Sequence, residues 1–192
     1  MKHFEKELPA GYAEAYTIDA ADKKIGLKLN LIGGAGMVVL IALFALIIRP
    51  GKILEGMSIS RYLILMGTML IYLVLHELTH GAAYKLLTGQ KLTFGFTATV
   101  AYCGVPDIYV YRKASMISLL APFCVFNLVF GGAALLLQDP WDKMIAAILL
   151  AIHIGGCVGD LYDTGLYLLR FRDPRTLMRD TGPKQTFYLP EN

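Results

Sequence analysis

The sequence predicts a mainly α-helical, multi-pass membrane protein, with four transmembrane helices and a short β-hairpin between the second and the third. Three observations lead there. Hydrophobic residues make up 56% of the 192 and charged residues only 17%, with a mean hydropathy of +0.53, a balance that leaves long uncharged runs in place of a solvated surface. Such runs recur four times along the chain. One of them contains His76-Glu77-Leu78-Thr79-His80, polar groups that lipid makes costly unless they carry a function.

Composition also excludes partners. A net charge of +3, with no basic run interleaved with aromatics, argues against nucleic acid. Cys103, Cys124 and Cys157 are far apart and form no C-x-x-C pair, so they read as small buried side chains rather than a disulfide framework or a thiolate metal site. The first 29 residues carry Lys2, Glu5, Lys6 and Glu7 and no apolar core. No cleavable signal is expected there, and insertion falls to the first span.

Residues 1–29 are polar, with a turn at Pro9-Ala10-Gly11 and charges at Asp22-Lys23-Lys24; they read as a cytoplasmic juxtamembrane segment of little regular structure. A four-span core over 30–170 follows. Residues 30–48 are uncharged and stop at Arg49-Pro50-Gly51, a first span of near-minimal length. Gly33, Gly34 and Gly36 suit close helix contact. The second span covers about 60–87, bounded by Arg61 and Lys85, whose stems can snorkel to the interfaces.

After Thr88-Gly89 the period changes to two: Leu92, Phe94, Phe96, Val100 and Tyr102 on one face, Thr93, Thr97 and Thr99 on the other. That is a strand. A turn at 103–107 and a returning strand over 108–112 complete a hairpin across about 91–112. Residues 115–138 form the third span, with Pro122 and Asn127 inside it, and 143–170 the fourth, with His153, Asp160 and Asp163. Trp141 suits the interface between them. Residues 171–192 read as a cytoplasmic tail.

Four spans put both termini on one side. Fourteen Lys and Arg fall in the N-terminal segment, the hairpin loop and the tail, against four on the opposite side. Termini and hairpin are therefore predicted to be cytoplasmic.

His76 and His80 are four residues apart, on one helix face, where both can hold one tetrahedral metal. Glu77 projects about 100° around the helix, placed to take a proton from a water. This is the H-E-x-x-H pattern of metalloproteases, and a His, His, carboxylate set favours Zn2+ among divalent ions. At about 1.5 Å per residue, His76 and His80 lie roughly 22 and 28 Å below Arg61, while His153, Asp160 and Asp163 lie roughly 15, 25 and 30 Å below Lys143. Asp160 is level with the gap between the histidines and is the expected third ligand. Asp163 falls within the one-turn error of that count.

The remaining buried polar groups each have two readings. Asp163 either supports the ligands from behind or lies near the cytoplasmic mouth. His153 lines a polar cavity or is a satisfied buried histidine, and Asn127 donates to a substrate carbonyl or makes an interhelical hydrogen bond. The hairpin either offers an edge to an extended peptide or plugs the site.

The chain resembles the small integral-membrane zincin peptidases related to site-2 proteases. The likeness runs through Glu7-Leu8-Pro9-Ala10-Gly11-Tyr12, the histidine motif followed by Gly81, the strand-rich segment, Ala121-Pro122 with Asn127 after it, and Gly159-Asp160. Site-2 proteases set their ligand aspartate before a glycine and after an Asn-Pro pair; here the glycine comes first and the pair is absent. The resemblance implies an intramembrane zinc protease with His76, His80 and Asp160 as ligands, Glu77 as general base, and a transmembrane or membrane-associated peptide as substrate. A non-proteolytic metal-binding regulator would need the ligands but not Glu77. A metal transporter would need a polar route that the first and third spans do not offer.

Overall fold

The computed structural model describes residues 2–48, 58–97 and 101–191. The stop at Arg49-Pro50-Gly51 and the strand positions Thr99 and Val100 lie outside them. In chain order the elements are β1 (Phe4–Glu5), β2 (Tyr12–Asp19), α1 (Lys23–Ile48), α2 (Ile59–Thr88), β3 (Thr93–Phe96), β4 (Ala101–Gly104), β5 (Tyr109–Tyr111), α3 (Arg112–Leu136), α4 (Pro140–Gly156), α5 (Val158–Leu169), β6 (Leu177–Asp180) and β7 (Lys184–Pro190).

α1, α2 and α3 are each long and apolar enough to cross a membrane. Large apolar side chains such as Leu46 and Ile47 on α1, Leu70 and Ile71 on α2, and Leu128 and Leu135 on α3 are exposed along them, as lipid requires and water penalises. The expected fourth span is two helices. α4 and α5 are bent by 48° at a break, where Cys157 caps α4 by donating its N–H to His153 O. Gly155 and Gly156, weak helix formers, precede the break, and α4 starts earlier than expected. Asp139 accepts from the N–H groups of Trp141 and Asp142, with Pro140 in the first turn, an N-cap in place of the simple turn expected.

The chain divides into two units. The first comprises Met1–Leu29, His76–Pro122 and Gly159–Asn192, the second Asn30–Leu75 and Phe123–Val158.

The first unit holds an antiparallel five-stranded sheet in the order β1-β5-β6-β7-β2. It corrects three expectations. Residues 1–29 are not irregular, since β2 pairs with β7 from Tyr12↔Pro190 to Asp19↔Lys184, with a bulge between Glu14 and Tyr16. α1 begins at Lys23, because Asp22 accepts from Lys24 N and Ile25 N and so caps it. The tail is structured too, as β6 and β7 joined at Gly182, whose φ of +100° favours glycine.

The hairpin exists in another register. β3 pairs with β4, Thr93↔Gly104 to Phe96↔Ala101, so the predicted turn residues Cys103 and Gly104 are strand. β5 leaves it to pair with β1 and β6. The reason is local packing: Val105 N donates to Asp180 O, and a side chain at Gly104 would meet Gly182 N at 2.5 Å and Thr181 C at 2.9 Å. That backbone contact carries the strand past 103 and on to the sheet. Two cores lie in this unit. One is built on Tyr84, Val105, Ile108, Val110 and Ala114, the other on Leu119, Tyr167, Phe171, Met178 and Phe187.

In the second unit α1 and α4 touch through glycine. A Cβ on Gly155 would stand 2.7 Å from Gly33 O, and one on Gly33 would collide with the Gly155 carbonyl. Gly34, Gly36 and Gly159 have open space instead. Tyr72, Phe126, Phe130 and Leu149 form the core, and Arg61 reaches Asp139 at 3.4 Å.

Candidate metal centre

The helix α2 continues through His76 and His80 without interruption, so the two side chains stack one turn apart. Both are buried. Their rings lie 4.9 Å apart at 74°, and their Nε2 atoms are separated by 3.2 Å. The other nitrogen of His80, Nδ1, lies 2.8 Å from Ser118 O on α3. A carbonyl only accepts, so Nδ1 carries a proton and Nε2 is the nitrogen left to face the site.

Asp160 sits in the first turn of α5, and its carboxylate faces both rings. Oδ1 lies 3.4 Å from His80 Nε2 and Oδ2 3.6 Å from His76 Nε2. Nitrogens and a carboxylate so placed are bridged either by a proton or by a bound cation. Zinc ligands at about 2.0–2.1 Å in a tetrahedron stand about 3.3 Å from one another. The two nitrogens are 3.2 Å apart and each faces a different oxygen of one carboxylate, at 3.4 and 3.6 Å, so one donor from each residue lies within 4.8 Å of the others, a spacing that a single ion can span. The donor set fits the metal in kind as well as in spacing.

Glu77 is half-buried beside the histidines. Gly81 closes the motif and admits the hairpin, because a Cβ there would stand 2.7 Å from Phe94 Cζ and 3.1 Å from Leu92 Cδ1. One turn on from His80, Tyr84 donates to Asp180 Oδ2 at 2.7 Å. Asp180 Oδ1 accepts from Gly182 N and from Gln185 Nε2. Burial nevertheless pushes the Asp180 carboxyl up to about 6, against the lowering effect of these donors.

The other candidates from the sequence lie outside this group of His76, His80 and Asp160. Asp163 is buried, does not join His76, His80 and Asp160, and its Oδ1 has no hydrogen-bond partner among the described residues. His153 and Asn127 meet each other, with Asn127 Nδ2 3.4 Å from His153 Nε2 and Tyr72 OH 2.9 Å from His153 Nδ1. Sequence reasoning missed Ser118, which acts through its backbone and so leaves no residue-type signal. It also missed Asp180, whose partner Tyr84 is 96 residues away.

No curated protein and no solved structure matches the chain. A family model with the description "Putative zincin peptidase" matches residues 69–173, more than half of the chain and inclusive of His76, Glu77, His80 and Asp160. The chain belongs to that zincin peptidase family.

Proposed function

We propose that this protein is a zinc metallopeptidase working within the membrane, with His76, His80 and Asp160 as ligands and Glu77 as general base. The convergence of His76, His80 and Asp160, with one donor atom from each within 4.8 Å of the others, carries the reading. Membership of a zincin family agrees with it. A zinc ion in such a site supplies a Lewis acid that polarises a carbonyl and acidifies water. Glu77 accepts the proton of the attacking water and delivers it to the leaving amine. Ser118 O keeps the His80 ring in one tautomer and orientation through the cycle.

The membrane setting rests on the three apolar helices, and its topology on the sheet. One sheet unites the N-terminal segment, the α2–α3 connection and the C-terminal segment, which supports all three lying on one side of the bilayer. Each interval between them then contains two crossings, and α4 with α5 counts as one bent span. The excess of Lys and Arg in these segments makes that side the cytoplasm. Membrane-embedded or membrane-associated polypeptides are the substrate class.

The test uses purified wild type and Glu77→Gln in detergent, with bound zinc measured and transmembrane peptides offered as substrates. Glu77→Gln is expected to keep its zinc and lose cleavage by about 10²–10⁴-fold, the usual contribution of a general base. An active Glu77→Gln protein would refute the assignment.

A further inference from the structure

Gly81 leaves a notch in α2 directly after the histidine motif, and the hairpin fills it. Two atoms of the Phe94 ring, Cζ and Cε1, stand 2.7 and 3.2 Å from where a Cβ would be, and Leu92 Cδ1 stands 3.1 Å from it. Gly81 follows Glu77 by four residues in one continuous helix, so the two share a face and their Cβ positions lie about 5–6 Å apart. The Phe94 ring is therefore seated one helical turn from Glu77. Cys103 agrees with this placement. It pairs with Phe94 across the hairpin, which sets both side chains on one face, and its thiol is pushed up to about 12 by burial first and then by the charges of Asp180 and Glu77. All of these residues belong to the first unit.

The packing does not use up the ring. Phe94 remains 47% exposed, and Phe96, two residues on and on the same face of β3, 87%, so an apolar strip runs outward from Gly81 with one side open. A general base that returns its proton to the leaving amine must reach that nitrogen. The residue bearing the nitrogen is then held on the Glu77 side of the metal. We infer that Phe94, with Leu92 beside it, is a specificity-determining residue: its ring forms an apolar subsite for the substrate side chain on the leaving-amine side of the scissile bond and selects that side chain by size. This rests on the peptidase reading above. An exposed apolar strip on a membrane protein can also face lipid; the seat one turn from Glu77 favours substrate, and selectivity separates the two.

The test is the side-chain selectivity of the purified full-length protein in detergent, with bound zinc measured in parallel. Cleavage sites in a panel of transmembrane peptides are mapped by mass spectrometry. The residue after one cleaved bond is then varied as Ala, Leu, Phe and Asn in an otherwise constant peptide. Wild type is expected to prefer Leu to Ala by about tenfold in kcat/KM, the low end for added methylenes in an apolar pocket, and to reject Asn. Phe94→Ala keeps its zinc and loses the preference for Leu over Ala. Phe94→Leu, which opens space without emptying the subsite, moves the optimum from Leu to Phe. Thr93→Ala, on the opposite face of β3, leaves the preferences within about twofold of wild type. A fall in kcat/KM that is equal for all four peptides in the Phe94 variants assigns the ring to packing or lipid contact and overturns the inference. A wild type that cleaves all four peptides alike also overturns it and leaves the peptidase reading standing. A wild type that cleaves nothing in the panel removes both. Phe94→Leu alone decides the matter if Phe94→Ala does not fold.

Discussion

Ser118 O lies 2.8 Å from Nδ1 of His80, so the backbone of α3 sets the tautomer of a ring carried by α2. The contact belongs to the peptide carbonyl. The Ser118 hydroxyl is buried and has no hydrogen-bond partner among the described residues. Ser118→Ala is therefore expected to leave zinc binding intact and to stabilise the protein by about 1 kcal/mol, by removing an unsatisfied buried group. Thermal unfolding and a zinc titration on the same sample check both halves; weaker zinc binding would assign the hydroxyl a role.

The two aspartates of α5 separate cleanly. Asp160 faces both histidine nitrogens, whereas Asp163 lies outside that group. Asp160→Ala is expected to lose stoichiometric zinc, while Asp163→Asn keeps it. Metal analysis of the two variants after gel filtration distinguishes them, and zinc retained at full stoichiometry by Asp160→Ala would exclude it as a ligand.

Asp180 gives the fold a pH dependence of definite sign. Its folded carboxyl is raised by burial from 3.8 to about 6, and Tyr84, Gln185 and the more distant Cys103 and His80 are the groups around it. A raised carboxyl binds more protons folded than unfolded, so its contribution is complete below about pH 4 and is lost as pH rises through about 6, on the order of 2–3 kcal/mol in all. Asp180→Asn should remove this component. Unfolding temperatures of the variant relative to wild type should rise between pH 4 and 7, and a constant offset would contradict the assignment.

Tyr84→Phe removes the 2.7 Å donor to Asp180 in a buried site. The expected loss is about 1–3 kcal/mol at pH 7, and it should shrink at pH 4, where the carboxyl is protonated. Chemical denaturation at the two pH values measures the difference.

Gly155→Val tests the glycine contact with α1. A side chain would need space now filled by Gly33 O, 2.7 Å from its Cβ, and overpacking of this kind costs about 1–3 kcal/mol. Gly159→Ala has open space around it and should be nearly neutral in the same thermal assay.

How much of this was legible in the sequence follows from distance along the chain. The apolar runs of α1, α2 and α3 and the His76/His80 spacing are local patterns, and local patterns can be read directly. The depth count put Asp160 level with the histidines by taking α2 and the fourth span as straight; the bend comes at Cys157, only three positions before Asp160. The sheet was not legible. β2 and β7 are short, half-polar strands whose paired residues lie about 165–180 positions apart, so neither had a visible partner, and β5 looked like the return of a hairpin until its register with β1 and β6 was known. Backbone groups such as Ser118 O leave no mark on residue type.

The pairing of β2 with β7 also has a kinetic consequence. Its partner residues lie about 165–180 positions apart, and long-range closure of this kind is slow relative to local helix formation. The helical turns that carry the histidines and Asp160 can therefore form before the sheet of the same unit is closed.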